Sequence, residues 1–164
     1  TDHYDPRSKT VNLSDTVYGS TSIAAIGVAA HECGHAIQHA KSYAPLSIRS
    51  ALVPIANFGS MLAWPVILIG LFFNTRSSGL IIDIGILLFS AAVLFQLVTL
   101  PVEFDASRRA LVMLRTQGIL ADDELRYTRR VLKSAALTYV ASAAAAILQL
   151  LRIILITNGR RRDD

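Results

Sequence analysis

The chain has 164 residues, 52% of them hydrophobic, with a single cysteine and a net charge of +4. That length suits one domain with a real core, while a lone Cys33 excludes an internal disulfide and a cysteine-based zinc site. The positive mean hydropathy of +0.45 is unusual for a soluble domain of this size, and no signal peptide or transit segment can be read in the sequence.

The sequence opens at Thr1 in what reads as structured chain, so a missing N-terminal part is expected. Thr1 to Ser14 reads as a short β-hairpin: Asp5-Pro6-Arg7-Ser8 supply turn chemistry, and Thr10, Val11 and Leu13 suit the strand that follows. Ser20, Thr21 or Ser22 can cap a helix that runs to about Ala40, where Tyr43-Ala44-Pro45 break it. Small and β-branched residues from Ile23 to Ala30, continued at Gly34, Ala36 and Ile37, describe a helix packed closely in a core. A charged Glu32 between histidines needs a reason there.

The reason is His31-Glu32-Cys33-Gly34-His35, an H-E-x-x-H box. Positions i and i+4 share one helix face, so His31 and His35 can direct two imidazoles at one zinc ion. Glu32, one residue round, can take a proton from metal-activated water and pass it to a leaving amine. Cys33 reads as packing.

Ala51 to Phe73 carries no charge, contains Trp64 and Pro65, and is the first membrane-span candidate. At about 1.5 Å per residue it covers a hydrocarbon core of about 30 Å. A polar turn is expected at Asn74-Thr75-Arg76-Ser77-Ser78-Gly79, then a second span from Leu80 to Leu100, interrupted only by Asp83 and ended by Pro101. An arginine-rich segment follows, broken at Gln117-Gly118, with Asp122 or Asp123 able to cap its second helix. Ser134 to Thr157 is the third span, and Arg152 near its end can snorkel to the interface.

Catalytic zinc takes three protein ligands and a water, so a third ligand is needed. His39 is eight residues from His31, about 12 Å along a helix axis, too far for one metal. Asp83 adjoins the hairpin turn, across the bilayer from the box. Glu103 and Asp105 return to the side of His35 after two spans, and Glu103 is the preferred ligand.

His31-Glu32-Cys33-Gly34-His35-Ala36-Ile37-Gln38, with Leu100-Pro101-Val102-Glu103-Phe104-Asp105-Ala106-Ser107-Arg108-Arg109, resembles the neutral zinc metallopeptidases of bacterial membranes. The opening Thr1-Asp2-His3-Tyr4-Asp5-Pro6-Arg7 and the Ala-Ile-Gly-Val-Ala-Ala run before the box are similar to that family as well. Its members usually carry a further N-terminal hydrophobic segment and a short soluble stretch. More distantly the pattern resembles gluzincins, including membrane-bound heat-shock and prenyl-protein endopeptidases, in which a Glu after the hairpin is the third zinc ligand. Glu103 matches it. Those enzymes commonly place an Asp four residues later to support a zinc histidine; this chain has Ser107, so Asp105 or Asp2 is the expected substitute.

The expected protein is mainly α: an integral membrane helical protein with an N-terminal β-hairpin, an H-E-x-x-H zinc helix, a transmembrane hairpin and a third transmembrane helix. Residues 1–164 would form a single metallopeptidase domain, with the zinc box in 1–50, the hairpin in 51–100, the third-ligand segment in 101–133 and the last span in 134–157. One Zn²⁺ per chain on His31, His35 and Glu103, with Glu32 as general base and then general acid, would hydrolyse a protein or peptide substrate at or near the lipid bilayer. His3, Tyr4 and, more weakly, Tyr139 are candidate oxyanion donors. A non-catalytic zinc-stabilised scaffold or assembly factor and a metal transporter are the competing classes, the latter disfavoured because only Asp83 supplies an acidic group within the spans. Nucleic acid is not an expected partner, since the basic clusters lack interleaved aromatics and flank apolar segments. Positive charge around the box and after Glu103 places the active site on the cytoplasmic side of a bacterial cell membrane, although Arg160-Arg161-Arg162 count the other way.

Overall fold

Asp5 shapes the N-terminal turn by accepting from the Arg7 backbone N–H at 2.9 Å and from Ser8 Oγ at 2.7 Å. Strands β1 (His3–Asp5) and β2 (Thr10–Asn12) therefore pair antiparallel, Tyr4 opposite Val11, as the hairpin reading expects. The structure is a computed structural model that describes residues 1–73 and 77–163, with side chains described through Gly159. Among the described residues are five helices and this one two-stranded sheet. Residues 74–76 of the expected polar turn, and the side chains of Arg160 to Arg162, lie outside them.

A four-residue helix α1 (Asp15–Tyr18), unforeseen in the sequence, follows the hairpin. Helix α2 (Ile23–Ala40) starts at the expected cap: Ser22 accepts from the Ala25 N–H at 3.2 Å. It ends where expected, but Pro45 opens the next helix rather than merely stopping this one. Helix α3 (Ala44–Phe72) begins seven residues ahead of the predicted span and carries Pro54 and Pro65 in its interior. Helix α4 (Ser78–Thr116) likewise passes through Pro101, the position expected to end the second span. Each proline removes one i→i−4 hydrogen bond; in apolar sequence continued helix is still the cheaper state, because it satisfies the remaining backbone groups.

Helix α5 (Asp122–Asp163) joins the second arginine-rich helix and the third span without a break. Neither Asp122 nor Asp123 caps it. The Leu125 N–H donates to the Ala121 carbonyl at 2.9 Å, and Glu124 Oε2 reaches back to accept from the Ala121 N–H at 2.8 Å. Ala121 thus takes the cap position and Glu124 does the side-chain work. Helices α3, α4 and the part of α5 to Gly159 are long and apolar enough to cross a membrane.

The chain divides into two compact units. One comprises Thr1–Ser47 with Thr99–Tyr139, and its core joins Ala30 of α2, Ala110 and Leu114 of α4, Leu120, and Leu132 of α5. The other comprises Ile48–Val98 with Val140–Asp164. In it α3 and α4 meet at small residues: a Cβ on Gly59 would lie 2.5 Å from the Leu88 carbonyl oxygen, and one on Gly85 2.5 Å from Ile67 Cγ1. With no hydrophobic drive between helices in lipid, such close backbone packing is what holds a hairpin together.

Candidate metal centre

The first unit brings the H-E-x-x-H helix against the stretch of α4 that follows Thr99. Gly34 makes this approach possible, since a Cβ there would stand 2.4 Å from the Ala106 carbonyl oxygen. At this contact His31 Nε2 lies 3.1 Å from His35 Nε2 and 3.1 Å from Glu103 Oε2, while His35 Nε2 is 3.6 Å from Glu103 Oε1. Among the described residues these three form the group able to hold a metal ion, their ligand atoms all within 4.8 Å of one another. His35 and Glu103 are buried, and His31 is half-buried.

The donor set fits zinc. Ligands at about 2.0–2.1 Å around a tetrahedral zinc are spaced by about 3.3 Å, which the observed separations bracket. The rings are also oriented for it: His31 Nδ1 meets Ser107 Oγ at 3.0 Å and His35 Nδ1 meets Gln38 Oε1 at 3.0 Å, so the two Nε2 atoms face each other and the carboxylate. Converging lone pairs and a carboxylate call for a cation. Burial opposes a charge on His35, but the hydrogen bond and negative charge of Glu103 outweigh it and raise its pKa.

Ser107, where the resemblance implies a supporting Asp four residues after Glu103, thus reaches His31 itself. Neither Asp105 nor Asp2 hydrogen-bonds a zinc-box histidine directly. Asp105 turns to Gln38, Arg108 and Arg109, and Asp2 accepts from the Ser14 N–H and Oγ, which hold its carboxyl below the usual range. His39 lies apart from the three ligand atoms, its Nδ1 2.7 Å from the Tyr4 hydroxyl, pinning the hairpin to α2. Burial, and then the charge of Glu32, push the Cys33 thiol up, consistent with a packing residue.

A cavity of about 210 Å³ opens beside the cluster, with Glu32, His31 and Glu103 on its polar side. Val28, Leu132, Ala135 and Ala136 form its apolar wall, and Ser107, Tyr139 and Asp2 complete the lining. Of the candidate oxyanion donors, Tyr139 lines this cavity; His3 is exposed on β1 and Tyr4 is engaged by His39. The contributions of Gln38 and of the α5 wall went unread in the sequence. Gln38 had a signal, its i+3 spacing from His35 on one helix face; the wall had none, because it depends on how α5 packs.

Three helices are long and apolar enough to cross a membrane, and two histidines of the H-E-x-x-H helix α2 converge with Glu103 of α4 in a cluster that could hold a metal ion. The sequence pattern of the family described as "Putative neutral zinc metallopeptidase" matches residues 1–158, and the chain belongs to that family. It is 47% identical over 161 residues to the "Putative membrane protease YugP" of Bacillus subtilis (strain 168), an alignment covering 98% of this chain and 70% of that protein. No solved structure matches the chain.

Proposed function

We propose that the protein is a membrane-bound, zinc-dependent endopeptidase that holds one zinc ion per chain on His31, His35 and Glu103. The observation that carries this reading is the convergence of ligand atoms from residues 72 apart in sequence, beside a cavity that Glu32 also lines. When bound, zinc supplies Lewis acidity toward a scissile carbonyl and makes water a nucleophile near neutral pH. Glu32 takes the proton from the attacking water as the new C–O bond forms, then delivers it to the amine as the C–N bond breaks. Tyr139, on the cavity lining, is the candidate to donate a hydrogen bond to the oxyanion. The wall of Val28, Leu132, Ala135 and Ala136 suits an apolar side chain of a peptide substrate.

In this reading the whole chain is one metallopeptidase domain: 1–50 and 101–133 carry the metal ligands, 51–100 and 134–157 the spans, and the start of the last span lends Ala135, Ala136 and Tyr139 to the cavity. The name of the Bacillus relative supports a protein or peptide substrate at the membrane. Charge supports a site facing the cytoplasm, because Arg108, Arg109, Arg115, Arg126, Arg129, Arg130 and Lys133 all follow Glu103.

Detergent-purified protein is expected to cleave fluorogenic peptides with apolar residues at the scissile bond. The cleavage should stop with a zinc chelator and return on adding zinc alone. Cleavage that persists after complete removal of zinc would contradict the proposal.

A further inference from the structure

Gln38 lies one turn beyond His35 on α2 and is completely buried, 0% exposed. Its amide nitrogen donates to the Val102 carbonyl oxygen at 2.8 Å and to Asp105 Oδ2 at 2.9 Å. Both partners are acceptors only, so the amide has one permissible orientation. Its oxygen must then be the atom facing His35 Nδ1, and an oxygen without a proton requires Nδ1 to carry the ring hydrogen. In a neutral imidazole that leaves Nε2 bare, and Nε2 is the atom that faces His31 and Glu103. The hydroxyl of Ser107 can donate or accept, so His31 is under no such instruction.

The orientation of Gln38 depends in turn on Asp105, a carboxylate only 5% exposed. Arg109 Nε meets its Oδ2 at 2.6 Å and Arg108 Nη2 its Oδ1 at 2.5 Å. Arg109 is itself placed over the Tyr43 ring at 5.5 Å. A buried carboxylate without such partners would be costly; with them it is a fixed acceptor aimed at Gln38.

We propose that Gln38 and Asp105, anchored by Arg109 and Arg108, are a positioning relay that locks His35 in the Nδ1–H tautomer and aims Nε2 at the metal. The relay rests on the zinc-site reading above. Interposing a neutral amide between carboxylate and imidazole fixes the ring without giving it the basicity that a directly bonded carboxylate confers.

The test is zinc affinity by chelator competition, with ¹⁵N-histidine NMR of the metal-free protein in detergent at alkaline pH, where the ring is neutral. Gln38→Met and Asp105→Asn are each expected to weaken zinc binding by about 10- to 100-fold and to move the His35 nitrogens toward mixed tautomers. Gln38→Glu alone sets two carboxylates against each other and should also weaken binding. Packing damage alone lowers affinity without changing which ring nitrogen carries the proton, so the tautomer signal separates it from loss of the relay. Gln38→Met with wild-type affinity and an unchanged Nδ1–H signal would overturn the relay. Wild-type protein that binds no zinc would instead overturn the metal-site reading.

Discussion

Glu32→Gln should retain zinc and the fold while losing peptide hydrolysis by about 10²- to 10⁴-fold, the usual span for removal of a general acid–base. The glutamine amide matches the carboxylate in shape but cannot accept the proton of the attacking water. Glu32 lines the cavity beside His31 and Glu103, so its loss falls on the chemistry and leaves the ligand set in place. The measurement is kcat on a fluorogenic peptide together with zinc content of the same sample. Hydrolysis at the wild-type rate by a zinc-loaded variant would remove Glu32 from the mechanism. A zinc-stabilised scaffold, by contrast, should lose nothing in the cell when Glu32 is changed.

Gly34→Ala is expected to damage the protein as severely, though the residue touches neither metal nor substrate. Its Cβ would lie 2.4 Å from the backbone oxygen of Ala106, where ordinary contact begins at 3.4 Å. Neither helix backbone can yield locally, so α2 and α4 must separate by about 1 Å, beyond the roughly 0.5 Å tolerance of a metal constellation. His31 and His35 sit on one side of that contact and Glu103 on the other, so separation pulls the ligand set apart. Zinc affinity should fall at least tenfold, with about 1–3 kcal/mol of overpacking cost appearing as a lower Tm in detergent. Gly19→Ala is the control: nothing lies within 4 Å of a Cβ there and its φ is −91°, so Tm and zinc binding should be unchanged. Equal behaviour of the two variants would mean that the α2–α4 contact does not set the site.

The two histidines were legible because their spacing is a property of the helix alone. Glu103 was legible by a longer route, since two apolar spans must return the chain to the side it left. Helix ends were less so. Pro101 is read as the end of a span from its missing N–H group, yet it lies inside α4, just as Pro65, read as lying within a span, lies inside α3. The reason is environmental: an apolar segment gains more by keeping its other backbone bonds than it loses at one residue. Ala121 as a cap was hidden for a related reason, because Glu124 supplies the side-chain bond that Asp122 or Asp123 was expected to make. Ser107 looked like a missing support, and only the α2–α4 contact reveals that it reaches His31 Nδ1. Gln38 had the spacing to be noticed, but a buried glutamine gains meaning only when Val102 and Asp105, more than sixty residues away, are seen to fix its amide.

The measurement that bears most directly on the central claim is zinc stoichiometry by mass spectrometry of detergent-purified wild type, His35→Ala and Glu103→Ala. About one zinc per wild-type chain, lost or sharply weakened in both variants, is the expected result and would establish a site split between α2 and α4. Zinc lost from His35→Ala but fully retained in Glu103→Ala, or absent from every sample after reconstitution, would contradict it.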